Sequence, residues 1–309
     1  MVIMATTNSQ AIPPESVMMS RLLVEKRIQG FDFSEPKKMQ KLVGTIVGTK
    51  NAGKTTNAMN LYESVLLVDF DGNGVDNKDT LVSRKIMKAE NIYVLNASKY
   101  LSDKPQPGEY MLNYLYIKEA CRKFKGKYDG IVVDTLDGLE EMLVERSRYL
   151  YGSSTGVIAT KSGLTWQGWQ ERTNTLNELW HLFIDTVKVG VTYVTDYRFI
   201  EKVQEGKSIT IQVPKWFDIV RRESKYLIEI DQYPNFEKNT VEVKAKIWGS
   251  KNEKLLTPAT EVNITGYKPI INKKRLSELI GGTELINNTA TSGSVNPGAS
   301  GNSQNEVWN

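Results

Sequence analysis

Cysteine and histidine are almost missing from this chain: Cys121 and His181 are the single examples in 309 residues. One cysteine excludes an internal disulfide, and the two together leave no Cys/His set for zinc. Long apolar runs are missing as well. No stretch approaches the roughly 20 residues of a membrane span, and Met1–Ser20 lacks the basic-then-apolar order of a secretory signal. The expectation is a reducing cytoplasm and no membrane partner. Nor is there bulk charge of one sign. Lys and Arg number 40 against 36 Asp and Glu, a formal +4 that would assist binding to a polyanion without specifying one. At 40% hydrophobic and 25% charged, the chain can bury a full globular core.

What is present is organised around Gly48-Thr49-Lys50-Asn51-Ala52-Gly53-Lys54-Thr55, followed by Thr56. The run fits G-x-x-x-x-G-K-[ST], a phosphate-binding loop. The apolar, β-branched stretch Lys41–Val47 before it suits a buried parallel strand, and Thr55–Glu63 after it reads as a helix. Free amides at the helix start would face phosphates, Lys54 would reach the β- and γ-phosphates, and the Thr55 hydroxyl would ligate Mg²⁺.

A second strand, Ser64–Asp71, runs into acids. Asp69 and Asp71 fall where a parallel sheet collects its functional groups, and each could orient an attacking water or cap the next helix. Further strands are predicted at Asn91–Asn96 and at Tyr128–Asp134, the latter presenting Asp134 to the metal. Helices are predicted over Gly108–Lys125, Leu136–Tyr151 and Thr165–Val187, with Trp166 and Trp169 read as core or subunit contacts ahead of base-stacking platforms and His181 as structural. The basic run Arg122–Lys127 is read as capping and solubility ahead of a DNA role. Gly190–Thr195 is a strand whose end, Thr195 and Asp196, either senses the γ-phosphate or caps a loop.

The connection Arg198–Lys215 mixes cations with aromatics; Arg198, Lys202, Lys207 and Lys215, with Lys161 from an earlier glycine-rich loop, are candidate contacts for single-stranded DNA. A solvated β-hairpin is the slightly preferred alternative. Lys225–Asp231 and Thr240–Trp248 read as an antiparallel pair turning at Tyr233–Asn235, with Lys244 and Lys246 on one face. The implied organisation is a tail and short helix (1–40, the helix at Ser16–Ile28), a core (41–255), an extension (256–286, with a helix at Lys273–Ile280) and a low-complexity tail (287–309) expected to be disordered.

The order of phosphate loop, VDFDGN strand, VVDT strand, KSGLTWQGWQ segment, YVTD strand and closing strand pair resembles the RecA-like ATPases of bacteriophages, the AAA-domain group that includes Sak-type single-strand recombinases. The resemblance covers about residues 41–255. It implies an α/β RecA-like core, a mostly parallel sheet flanked by helices with a closing antiparallel pair. It also implies Mg-ATP binding, assembly into a ring or filament, and action on single-stranded DNA in recombination or replication, in the host cytoplasm. Lys54 and Thr55 would take phosphate and Mg²⁺, Asp134 the metal, and Asp71 the place of a water-polarising glutamate. Asp196 stands where relatives carry a histidine or glutamine sensor, and Lys244 and Lys246 resemble lysines sent across a subunit boundary. A ParA-type partition ATPase competes, although its signature lysine would stand at Thr49 and Lys50 is off by one. So does a scaffold switched by ATP with little turnover.

Overall fold

The computed structural model describes residues 41–154, 162–204, 207–215, 218–236, 239–250 and 260–271. The helices expected at Ser16–Ile28 and Lys273–Ile280, the tail from 287, and Lys161 lie outside the described residues.

The strands are β1 (Leu42–Gly48), β2 (Val65–Asp69), β3 (Ile92–Asn96), β4 (Gly130–Asp134), β5 (Gly190–Thr195), β6 (Tyr197–Gln204), β7 (Lys207–Pro214), β8 (Tyr226–Asn235), β9 (Thr240–Ser250) and β10 (Glu261–Asn263). The helices are α1 (Lys54–Met59), α2 (Gly74–Ser83), α3 (Pro107–Lys123), α4 (Leu136–Tyr151), α5 (Trp166–Thr186) and α6 (Asp218–Glu223). Eight strands form one sheet in the order β10-β9-β8-β1-β5-β4-β2-β3, and β6 and β7 form a separate hairpin. The six strands from β8 to β3 are parallel, and β9 and β10 close one edge in antiparallel pairing. This is the RecA-like α/β architecture that the resemblance implies. Among the described residues no helix is long and apolar enough to cross a membrane.

Every residue of β1, β2, β4 and β5 is buried, because helices cover both faces of the sheet. One core lies against α3, α4 and α5, where Leu176, Leu179, Trp180 and Phe183 dock and the Trp180 ring stacks on Tyr193 at 5.2 Å. The other joins α1 and α2 to Ile228, Ile230, Ala245 and Ile264. Across this second face a buried chain of hydroxyls runs from Tyr62 through Thr192 to Tyr226, at 2.8 and 2.6 Å.

Several expectations change. The helix after the phosphate loop ends at Met59 instead of Glu63, because the chain must turn to bury Leu61 and Tyr62; a Cβ on Gly130 would stand 2.3 Å from the Tyr62 ring. Strand β8 continues through Pro234 and Asn235, which pair with Val241 and Thr240, so the turn falls later, with Asn239 at a left-handed φ of 47°. Trp166 and Trp169 are not core: they are 59% and 39% exposed and stack on each other at 5.7 Å. The connection after Asp196 is the antiparallel hairpin β6–β7. Helix α2 lacked a strong sequence signal, since only Gly74 and Leu81 of it are buried.

Candidate functional site

The parallel strands end on one side of the sheet, and their register fixes what gathers there. Asp69 aligns with Asp134, Asp134 with Val194, Val47 with Thr195 and Gly48 with Ile230. Beyond β1 the chain bends through Thr49–Gly53, with Asn51 at φ 65° and Gly53 at φ 78°. A left-handed turn there is what aims the first amides of α1 into the loop's concavity. Gly48 has a different reason to be glycine: a Cβ would lie 2.1 Å from the carbonyl oxygen of Ile230 on β8. The loop is braced from the same strand by Gln232, whose amide donates to the Asn51 carbonyl at 2.8 Å.

A cleft of about 500 Å³ opens over this loop. Of the expected site residues, Lys50, Asn51, Gly53, Lys54, Thr55, Thr56, Asp71, Asp134 and Asp196 line it. Thr49 contributes its carbonyl to Lys54, and Ala52 is buried behind the loop. Thr55 Oγ1 donates to Asp134 Oδ2 at 2.7 Å. Lys54 Nζ lies 2.8 Å from the Thr49 carbonyl and 2.7 Å from Asp196 Oδ1. Burial, ahead of the repulsion from Asp71 and Asp69, pushes the Asp134 carboxyl up to about 7, against the hydrogen bond from Thr55 and the charge of Lys54. Asp71 is also raised, by burial first, with Thr135 Oγ1 donating to it at 3.3 Å in opposition and Asp69, Asp196 and Asp137 adding to the rise.

Two expected residues stand elsewhere. Asp69 is a capping acid: its two oxygens accept from the amides of Gly72 and Gly74 at 3.0 and 2.9 Å, which starts α2 and turns the carboxylate away from the cleft. Thr195 is buried and donates to the Lys215 carbonyl, so it closes the base of the β6–β7 hairpin and does not face the cleft. Among the cations, Lys215 is held by Asp137 at 2.8 Å and Arg198 is exposed on β6. The side chains of Lys202 and Lys207 fall outside the described residues. Lys244 and Lys246 share a face of β9 as their spacing predicts. Lys244 pairs with Glu261 at 2.7 Å and Lys246 covers the Trp248 ring at 4.0 Å. Neither lines the cleft.

The structure adds wall residues that no motif announced: Asn73, Asp76, Asn77 and Thr80 on or before α2, Thr135 after β4, and Tyr267 beyond β10. Asn77 accepts from Thr56 Oγ1 at 2.7 Å, joining α2 to α1. The Tyr267 ring comes within 3.7 Å of a Cβ built on Gly53, its carbonyl accepts from Asn60 at 2.9 Å, and Arg84 covers the ring at 5.0 Å.

The donor set fits a hard divalent cation. Thr55 and Asp134 bring two oxygens together, Asp71 lines the same cleft, and no group of three or more His, Cys, Asp or Glu among the described residues could cage an ion alone. Mg²⁺ in nucleotide sites takes few protein ligands and fills its octahedron with phosphate and water.

Residues 40–246 match the AAA domain family. No curated protein matches the chain. Among solved structures it is similar to a KaiC-like protein, PH0186, from the hyperthermophilic archaeon Pyrococcus horikoshii OT3. The two share 12% identity over 72% of this chain and 84% of that one, with a TM-score of 0.41. With two thirds of its length inside the match and a phosphate loop at the end of its central strand, the chain belongs to the AAA domain family of P-loop ATPases.

Proposed function

We propose that this ATPase binds Mg-ATP in the cleft over residues 48–56 and uses it to control a grip on single-stranded DNA, in phage-type recombination or replication, as a ring or filament of identical subunits. The observation that carries the nucleotide half is the meeting of Lys54, Thr55, Asp134 and Asp71 around one cleft. Loop amides and Lys54 hold the phosphates. Thr55 and Asp134 hold Mg²⁺, which when bound neutralises phosphate charge. Asp71, across the cleft, orients the water.

The DNA half is supported by the sequence resemblance, the mild positive charge and the position of the hairpin. Asp196, the ion-pair partner of Lys54, immediately precedes β6, and its carbonyl accepts from the Lys215 amide at 2.9 Å where the hairpin returns. A γ-phosphate that draws Lys54 away from Asp196 therefore acts at the root of the hairpin carrying Arg198.

ATP hydrolysis by the purified protein, with and without single-stranded DNA, beside Lys54→Ala and Asp71→Asn, tests the reading. DNA stimulation lost in both variants is the expected result. Tight ATP binding without DNA-stimulated turnover would favour an ATP-switched scaffold. The observation on that side is Asp71, one methylene shorter than the glutamate of relatives.

A further inference from the structure

The cleft is lined by Asp71, Asp76, Asp134 and Asp196 and is an unfavourable place for a second polyanion. The opposite edge of the sheet is different. Strand β3 ends the sheet order, and α3 lies beside it. On this edge the Tyr93 ring, 37% exposed, sits 4.5 Å from Phe124 and 6.5 Å from Tyr128. Lys123 and Lys127 stand 5.9 and 5.5 Å from the Phe124 centroid. Beyond the end of β3, Tyr100, 41% exposed, meets Tyr116 edge-on at 5.5 Å, and Lys99 lies 5.2 and 4.8 Å from the two rings. Tyr116 is in α3 and Phe124 caps its end, so the two clusters are eight residues apart along one helix, about 12 Å at 1.5 Å per residue.

Lys99, Lys123 and Lys127 are exposed and form no ion pair among the described residues. Of the carboxylates nearest Lys123 and Lys127 in sequence, Glu119 pairs with Arg122 at 3.6 Å, and Asp129 accepts from the Ser64 hydroxyl at 2.9 Å. Single-strand surfaces combine exposed rings, on which bases stack, with cations beside them that follow the phosphates. Such exposed lysines are weakly held and can turn out to phosphate while the exposed rings of Tyr93 and Tyr100 receive bases; Phe124 is buried and backs Tyr93. The arrangement differs from simple helix capping, which explains cations at the end of α3 but neither the aromatic partners nor Lys99, beyond the end of β3.

We propose that the β3–α3 edge, centred on Tyr93 and Tyr100 with Lys99, Lys123 and Lys127, is a binding track for a single-stranded nucleic acid, separate from the nucleotide cleft and from the β6–β7 hairpin. The inference rests on the proposed action on single-stranded DNA and adds a second stretch of contact to that of the hairpin.

The test is fluorescence-anisotropy titration of the full chain with a labelled oligothymidylate across a range of salt. The variants are Lys123→Gln/Lys127→Gln and Tyr93→Leu/Tyr100→Leu, with ATP binding measured in parallel as a control for folding. The lysine pair should lower the slope of log affinity against log salt by about 0.7 for each phosphate that is no longer neutralised. The tyrosine pair should weaken binding roughly tenfold or more and leave that slope unchanged. ATP binding should be unaltered in both. Oligothymidylate binding that survives both double substitutions overturns the track and leaves the DNA reading intact, with the strand held elsewhere. No binding by the wild-type protein at any salt overturns both.

Discussion

Asp196 Oδ1 stands 2.7 Å from Nζ of Lys54, and the same ammonium donates to the Thr49 carbonyl at 2.8 Å. The lysine meant for phosphate is thus already paired, so a γ-phosphate competes with a carboxylate of the protein itself. Asp196 is 40% exposed at its side chain, which limits the strength of the pair to roughly 0.5–1 kcal/mol. Asp196→Asn should therefore tighten ATP binding by about two- to fivefold, measured calorimetrically, and ADP, lacking the γ-phosphate, should gain less. Equal or weaker ATP affinity in the variant would show that Asp196 does not compete.

Asp71 lines the cleft and accepts from Thr135, while Asp69, two residues earlier, is spent on capping α2. Of the two acids only Asp71 lines the cleft, as the proposed water-orienting role requires. Asp71→Asn should cut steady-state hydrolysis by about 10²–10⁴-fold with ATP affinity within about twofold of wild type. Asp71→Glu, one methylene longer, should retain or raise turnover. Wild-type hydrolysis by the asparagine variant would remove Asp71 from the chemistry.

Strands buried on both faces, such as β1 and β4, were legible because they read as short, mostly apolar and β-branched runs, and α4 because Leu139, Met142 and Leu143 keep helical spacing. The phosphate loop and Asp134 were legible as motifs whose chemistry dictates residue type. Other features were not, for physical reasons. Helix α2 packs through few apolar groups, and its start is fixed by Asp69 side-chain bonds that no periodicity records. Trp166 and Trp169 share helical spacing with Trp180 but lie at the solvent end of α5. Tyr267 reaches the cleft from more than 200 positions away in sequence, through a backbone carbonyl that accepts from Asn60.

That distant tyrosine gives a prediction of its own. Its ring lies against Gly53 on the cleft wall, where an aromatic face suits the base or ribose of a nucleotide better than its phosphates. Tyr267→Ala should weaken ATP binding by roughly tenfold and leave inorganic triphosphate binding unchanged, whereas Tyr267→Phe should behave as wild type for both. Equal losses for ATP and triphosphate in the alanine variant would mean that the ring only supports the loop.

Cys121 reports on the core beneath this site. It is fully buried on α3, and burial, opposed weakly by the Thr186 hydroxyl, pushes its thiol from 9.0 up to about 12. The folded chain therefore keeps a proton that the unfolded chain surrenders. Stability is at its full value below about pH 9 and falls as pH climbs from there towards 12, the direction linkage requires when the unfolded state binds fewer protons. The thiolate is the reactive species, so at about pH 8.5 iodoacetamide should leave Cys121 unmodified in the native protein and label it rapidly in denaturant. The native labelling rate should track the opening of the α3 layer, and ATP with Mg²⁺ should slow it further, because a ligand that binds only the folded state lowers the open population. Labelling of the native protein at the rate of a free thiol would contradict the packing of α3 against α4 and α5.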